Sequence, residues 1–284
     1  MNTIKQKDIE SKKSKVFISF VLDESGSMQT GRKEIISGMN EQIQSIKNKF
    51  SGTIVEPVVS FVKFADNVIS LYEGKTMDDL KEFELMGYVP NGSTALYDAV
   101  GYTIDMVSKF DGINEEGNSS ILVIVTDGDE NASKRYNSSQ IAEKVQTLSK
   151  TGRWTVTYLG PNNVDLTKVK QGINTSYGNM LRADLTSSVG YKGAFKSIGA
   201  SMDSFYGAVA TNAVSGASFS SSNFYANENN SSTEPLLTLL SNEDLNMPTV
   251  SGIYKTNPLI TPLAKRPSFK VGNPDIDPQQ IIGT

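Results

Sequence analysis

Short apolar runs alternate with amphipathic helical stretches along most of the chain, and this pattern constrains the fold more than any other feature. The run 16-VFISFVL-22 is almost continuously apolar, which is typical of a strand covered on both faces. The run 120-SILVIVTDG-128 repeats the pattern and ends in an acidic turn. Between them, 33-KEIISGMNEQIQSIKNKF-50 carries its apolar residues at helical spacing. The chain therefore predicts strands that alternate with helices.

The remaining elements follow from the same patterns. Segment 54–72 predicts two strands joined by a tight turn at residues 65–67. The other predicted elements are a helix at 94–110, a helix at 138–150 capped by Ser138 or Ser139, a strand at 154–160, a short helix near 163–171, a weak strand near 176–182 and a helix near 188–209. Because alternating strands and helices form a parallel sheet wrapped by helices, we predict an α/β fold. It is a three-layer αβα, doubly wound, mostly parallel sheet with one antiparallel edge hairpin.

Two absences in the composition restrict the chemistry. The 284 residues include no cysteine and no histidine. A cysteine nucleophile, a Ser-His-Asp triad and a Cys/His zinc site are therefore excluded. Any metal site must use oxygen ligands, which favours hard cations such as Mg²⁺, Mn²⁺ or Ca²⁺. The net charge of −4 comes without a basic face, so we expect no nucleic-acid partner.

The two ends of the chain differ from its middle. Residues 1–13 form a polar, lysine-containing arm without the apolar segment of a secretion signal. Residues 211–284 are rich in serine, asparagine and proline and keep no helical or strand period. We therefore expect a folded domain at 14–210 followed by an extended, low-complexity tail. No apolar run approaches the roughly 18 residues of a membrane helix, so we expect no membrane partner.

Three polar loops bring side-chain oxygens towards one edge of the predicted sheet. The first, Asp23-x-Ser25-x-Ser27, follows the first strand; 91-NGSTALYD-98 enters a helix; 126-TDGDEN-131 follows a central strand. Ligands of open parallel sheets bind outside the carboxyl ends of the strands. The first and third loops lie at such ends, and the second can reach the same edge. The candidate metal ligands are Asp23, Ser25, Ser27, Thr94 and Asp127.

This donor set suits a divalent cation that keeps part of its charge. Alternate residues of an extended loop point the same way, so the first three donors converge. Together with a water molecule, the donors would suit the near-octahedral shell of Mg²⁺ or Mn²⁺. Because only two donors are carboxylates, the cation would stay electrophilic and accept an acidic oxygen from a partner. A lone DxSxS turn is more often a helix N-cap, but the three loops together favour a metal site.

The same residues, in the same order, resemble a known family. Asp23-x-Ser25-x-Ser27, Thr94 in GSTALYDAV and Asp127 in VTDG look like the metal-ion-dependent adhesion site (MIDAS) of a von Willebrand factor A (VWA) domain. The resemblance covers about residues 14–210. It implies that the two serines are direct ligands and that Asp127 often acts through water. It also implies a protein-binding role, in some cases beside an ATPase or within a multiprotein assembly.

The later part of the domain resembles one branch of this family. The run 157-TYLGPNNVD-165 and the following helix with Phe195 are more similar to small cytoplasmic VWA proteins of bacteria and phages than to integrins. With no signal peptide, this resemblance implies a location in the cytoplasm or within a phage particle.

Three functions are considered for this sequence. The leading one is a binding module whose metal captures an Asp or Glu side chain of a protein partner. The alternative is a structural or assembly subunit, for example of a phage particle, anchored by tail 211–284. A Mg-dependent phosphohydrolase is disfavoured, because the general acid expected two residues after Asp23 is replaced by Ser25 and no P-loop is present. We therefore predict a protein that is not an enzyme.

Other acidic residues near these loops are expected to have local roles. Glu24 should face solvent or a helix N-terminus, and Asp129 and Glu130 should form a solvated turn. Asp98 should serve the first turn of its helix. Trp154 is expected in the core.

Overall fold

In the computed structural model, the described residues are 13–82 and 87–226. The chain divides into two compact units, residues 1–236 and 237–284, and the second lies outside the described residues. Residues 1–12 of the predicted arm and residues 227–284 of the predicted tail also lie outside them. The division into arm, domain and tail stays a prediction.

A six-stranded sheet forms the middle layer. Its strands are β1 (Ser14–Asp23), β2 (Val55–Phe64), β3 (Val68–Lys75), β4 (Ser119–Val125), β5 (Trp154–Pro161) and β6 (Met180–Ala183). They are ordered β3-β2-β1-β4-β5-β6, and every neighbouring pair is parallel except β2 and β3. The predicted sheet, with its antiparallel hairpin at one edge, is therefore confirmed.

Helices cover both faces of the sheet. They are α1 (Arg32–Phe50), α2 (Leu96–Val107), α3 (Ser138–Ser149), α4 (Leu166–Ile173) and α5 (Ser188–Val214). Residues of α1 and α5 share one core cluster, whereas α2, α3 and α4 pack on the opposite face. The three-layer arrangement is therefore the one predicted. In the described part of the chain, no helix combines the length and apolar composition that membrane crossing requires.

Strand β1 shows why the first apolar run is nearly continuous. Val16, Ile18 and Phe20 belong to the cluster under α1 and α5, whereas Phe17 and Val21 face the other helical layer. A central parallel strand is covered on both faces, so both sets of alternating side chains must be apolar. The pattern that predicted a buried strand thus places β1 at the centre of the sheet.

Two glycines of the first helical segment let α5 approach closely. A Cβ at Gly31 would lie 2.5 Å from the ring of Tyr191, and a Cβ at Gly38 would overlap the ring of Phe195. No larger residue fits at either position without moving these rings. The close approach brings the first turn of α5 to the edge of the sheet where β1 ends.

Two local details differ from the sequence-based expectations. The N-cap of α3 is Asn137, whose side chain forms a capping box with Gln140, and not Ser138 or Ser139. Helix α5 continues to Val214 instead of ending near 209, and Phe224 and Tyr225 beyond it are buried in the core. Apolar side chains scattered among serines and asparagines gave no periodicity, although tertiary packing buries them.

Candidate metal centre

The order of the strands brings the first and third polar loops together. Strands β1 and β4 are parallel neighbours, and Leu22 pairs with Val125. Asp23 and Thr126 follow these residues, so their side chains meet at the carboxyl edge of the sheet. The loop before α2 is fastened to the same place, because Gly26 N donates to Gly92 O at 3.1 Å.

The oxygens of the first and third loops form a chain of short contacts. Asp23 Oδ1 accepts from the amide of Ser25 at 2.7 Å, and its Oδ2 accepts from Thr126 Oγ1 at 2.6 Å. The hydroxyl oxygens of Ser25 and Ser27 are 3.1 Å apart. Ser27 Oγ donates to Asp127 Oδ1 at 2.6 Å. Four of the five predicted ligands are thus linked directly, although 100 residues separate Ser27 from Asp127.

Thr94, the fifth predicted ligand, faces the same cluster from the second loop. A Cβ at Gly128 would lie 3.2 Å from Thr94 Oγ1 and 4.0 Å from Asp23 Oδ2. The absence of a side chain at Gly128 therefore leaves the space between these oxygens open. The backbone of Thr94 is held by Asn131, whose Oδ1 accepts from the Thr94 amide at 2.9 Å. The structure brings all five predicted residues together, and their role as ligands stays a prediction.

Burial raises the pKa of both carboxyl groups. Asp23 is fully buried, and desolvation raises its pKa to about 6 despite hydrogen bonds from Thr126 and Ser25. Asp127 is half-buried, and desolvation raises its pKa against the hydrogen bonds from Ser27 and Tyr191. Among the described residues, neither carboxylate forms an ion pair with a lysine or arginine. A bound cation would supply the missing positive charge.

Two tyrosines that the sequence did not predict as part of the site support it. Tyr191, in the first turn of α5, donates its hydroxyl to Asp127 Oδ2 at 3.2 Å. Tyr88 donates to the backbone oxygen of Asp23. Along the chain, Tyr191 lies 64 residues from Asp127, and Tyr88 lies 65 residues from Asp23. No local pattern marks them, whereas Thr126 could have been found from its position beside Asp127.

Comparison with known proteins decides the family. The model of the von Willebrand factor type A domain matches residues 18–185, which is more than half of the chain. The chain belongs to the von Willebrand factor type A family. The family assignment inferred from the three loops is therefore confirmed. No curated protein is similar to this VWA chain in sequence.

Solved structures support the fold. Proximal thread matrix protein 1 from the mussel byssus is similar at a TM-score of 0.51 and 20% identity, over 66% of this VWA chain and 47% of its own. The pilus adhesin SpaC from Lactobacillus rhamnosus GG is similar at 0.50 and 14% identity, over 68% and 31%. Another structure of the mussel protein, described with a zinc-occupied MIDAS motif, has a TM-score of 0.49, with 20% identity over 65% and 47%. The VWA chain thus spans less than half the length of each.

The donors of this VWA chain fit a small divalent cation. Oxygen ligands about 2.1 Å from an octahedral Mg²⁺ lie about 3 Å from their neighbours. The separation of 3.1 Å between the Ser25 and Ser27 hydroxyls matches that spacing, and the 2.6 Å between Ser27 and Asp127, which is a hydrogen bond, is somewhat shorter. Within the described residues, no group of three or more acidic side chains is placed to hold a metal. A cation bound here would therefore need further oxygen donors, and the nearby serine and threonine hydroxyls are the predicted ones.

Asp129 is exposed, as expected, but Glu24 and Glu130 form more contacts than a solvated turn would allow. Glu24 is buried, pairs with Lys63 at 2.9 Å and accepts from the amide of Val89. Glu130 accepts from the amides of Tyr97 at 2.9 Å and Ser133 at 2.7 Å. Both carboxylates tie loops together around the metal centre. Sequence spacing did not reveal this, because their partners come from other loops.

Asp98 also connects two elements. Its carboxylate accepts from the amides of Lys134, Arg135 and Tyr136, each at 2.8 Å. Asp98 lies in the first turn of α2, as predicted, and its side chain also anchors the loop that carries Asp127, which the sequence did not indicate. A buried carboxylate that accepts from several amides holds the loop strongly, because each lost hydrogen bond would leave a buried donor unsatisfied.

Proposed function

We propose that this VWA chain is a protein-recognition module. A divalent cation held by Asp23, Ser25, Ser27, Thr94 and Asp127 would capture an Asp or Glu carboxylate of a protein partner. The observation that carries the proposal is the convergence of these hydroxyl and carboxylate oxygens at the carboxyl edge of the sheet, around a buried aspartate that has no ion pair with a basic side chain among the described residues. A cation supplies the Lewis acidity that binds the partner's oxygen.

The donors differ in burial, so the site has a buried side and a side that is open to solvent. Asp23, Ser25 and Thr94 are buried, whereas Asp127 is half-buried and Ser27 is exposed. The buried donors would hold the cation from below, and the exposed side would stay open to a partner. Because three of the donors are neutral, they bind the cation without cancelling its charge. Mg²⁺ is the proposed ion, with Mn²⁺ or Ca²⁺ as alternatives.

The biological setting is proposed on the resemblance alone. A cytoplasmic location, or one within a phage particle, stays a prediction from the sequence. The mussel and Lactobacillus structures are named as a matrix protein and an adhesin, which agrees with a binding role and not with catalysis. A role as an assembly subunit is compatible with the same metal site.

Direct titration tests the proposal. Calorimetry of the wild-type chain with Mg²⁺, Mn²⁺ and Ca²⁺ should detect one site, and Asp127→Asn or Asp23→Ala should abolish it. Asp111→Asn serves as the control, because Asp111 is fully exposed and lies 3.8 Å from Lys15 at the opposite end of β1. A pull-down with and without chelator should then show metal-dependent capture. Equal capture by wild type and Asp127→Asn, with no heat of metal binding, would exclude this function.

A further inference from the structure

A cleft lies directly beside the candidate metal centre. It has a volume of about 440 Å³ and opens between Tyr97 of α2, loop 127–130 and residues 161–173 around α4. We refer to it as the α4 cleft. Asp127 lines it as well as the metal centre, so the two sites share a wall.

The walls of the α4 cleft are held in place by contacts that its lining residues make with one another and with their own loops. The amide of Tyr97 donates to Glu130 Oε2 at 2.9 Å, while Glu130 Oε1 accepts from two amides of its own loop. A Cβ at Gly172 would lie 2.6 Å from Tyr97 Oη, so the glycine lets the phenol lie against α4. The aromatic wall is thus built into the fold.

The α4 cleft carries an excess of negative charge. Asp127, Asp129, Glu130 and Asp165 line it, against the single basic side chain of Lys168. The pKa of Tyr97 is raised by burial and then by the charges of Glu130 and Asp129. Asp129 is exposed and, among the described residues, forms no ion pair. A cation bound at the metal centre would offset only part of this charge.

We propose that the α4 cleft receives an arginine or lysine side chain from the same partner segment that supplies the metal-binding carboxylate. This inference rests on the proposed function. Apolar and aromatic walls, including Tyr97, Tyr158 and Val164, accept the methylene stem, and the acidic rim accepts the charged end. Because Asp127 borders both sites, the acidic and basic residues must lie within a few positions of each other. The partner is therefore recognised by a pair of opposite charges.

A peptide library with one fixed aspartate tests this pairing. Random short peptides are selected on the immobilised wild-type chain in Mg²⁺ and eluted with chelator. Arg or Lys should be enriched within a few positions of the aspartate, and this enrichment should fall on Asp129→Asn. It should persist on the control Asp111→Asn, which removes the same charge at the opposite end of the sheet.

Individual selected peptides give the quantitative test. Replacing the basic residue by glutamine should weaken binding to wild type by about threefold to tenfold and change binding to Asp129→Asn much less. Metal-dependent peptides without a basic preference, or equal losses on both variants, would overturn the pairing while leaving the metal site intact. A library with no metal-dependent binders would instead overturn the proposed function, and this inference with it.

Discussion

At the scale of single residues, two side chains define how the candidate metal centre is built. Tyr191 reaches the centre from α5, where its ring packs against Gly31 and its hydroxyl bonds Asp127. Asp23 lies at the bottom of the centre, fully buried. Tyr191 therefore orients the Asp127 carboxylate from the side, and Asp23 supplies a buried carboxylate that no basic side chain of the described residues pairs with.

Tyr191→Phe should weaken metal binding without unfolding the protein. The ring keeps its packing, but Asp127 loses the hydrogen bond that orients one of its oxygens. Loss of such a supporting contact reduces metal affinity by on the order of tenfold. Calorimetric titration with Mg²⁺ measures it. The matched control is Tyr206→Phe on the same helix, because the buried hydroxyl of Tyr206 has no hydrogen-bond partner among the described residues. Equal affinities in the two variants would contradict this role.

Asp23→Asn should stabilise the metal-free protein while preventing metal binding. The folded pKa of about 6 lies above the ordinary value of 3.8, so the folded state holds its proton more tightly than the unfolded state. Below about pH 4 both states are protonated and there is no penalty. The free-energy cost of ionising the buried Asp23 grows as pH rises towards 6 and is constant above it.

The expected gain in the free energy of unfolding at pH 7 is about 1–2 kcal/mol. It is smaller than the free energy equivalent to the full pKa shift, because the asparagine amide replaces the carboxylate's hydrogen bonds imperfectly. An asparagine oxygen can accept from the amide of Ser25, and its nitrogen can donate to Thr126. Urea unfolding in chelator, at pH 7 and pH 4, measures the difference between variant and wild type. The stability difference is the free energy of unfolding of the variant minus that of wild type. A smaller difference at pH 7 than at pH 4 would contradict this explanation.

At the scale of elements, the segment after α5 completes the core. We refer to residues 217–225 as the C-terminal strap. Its amides bond side chains near the beginnings of two strands: Phe219 N donates to Ser119 Oγ and Ser221 N to Thr155 Oγ1, both at 2.8 Å. Phe224 N donates to Asn179 Oδ1 at 2.8 Å. The strap therefore lies away from the carboxyl ends of the strands, where the metal centre is.

A chain that ends at 214 should be markedly less stable than one that ends at 226. Removing the strap uncovers the core around Phe224 and Tyr225, and burial of each such side chain contributes about 1.5–3 kcal/mol. Thermal unfolding of the two chains measures this difference. Equal stability of the 214 and 226 chains would show that the strap is dispensable.

At the scale of the whole molecule, metal binding should be visible as a gain in stability. A ligand present at about a hundred times its Kd adds about 2.7 kcal/mol to the folded state. For a domain of this size, that corresponds to a rise in melting temperature of about 5–10 °C. Thermal unfolding with Mg²⁺ and with chelator measures the shift, which Asp127→Asn should remove. A similar shift in that variant would indicate binding elsewhere.

The sequence by itself predicted the fold, which the structure confirms, and named the candidate donors, which the structure brings together. Periodicity of apolar residues is a local property, so it predicted the strands, the helices and the parallel sheet with its edge hairpin. Short spacing along one loop also predicted that Asp23, Ser25 and Ser27 converge. The missing cysteine and histidine restrict the donors of any metal site to oxygen.

Only the tertiary structure decided how these parts act on one another. The burial of Asp23, the bond from Tyr191 and the anchoring of the Asp127 loop by Asp98 all join residues far apart in sequence. The same holds for the ion pair of Glu24 with Lys63 and for the strap that covers the core. Such contacts depend on which strands are neighbours and on which helix packs over them. The local pattern of a sequence predicts neither which strands are neighbours nor which helix packs over them. Long-range packing selects these partners by shape and burial.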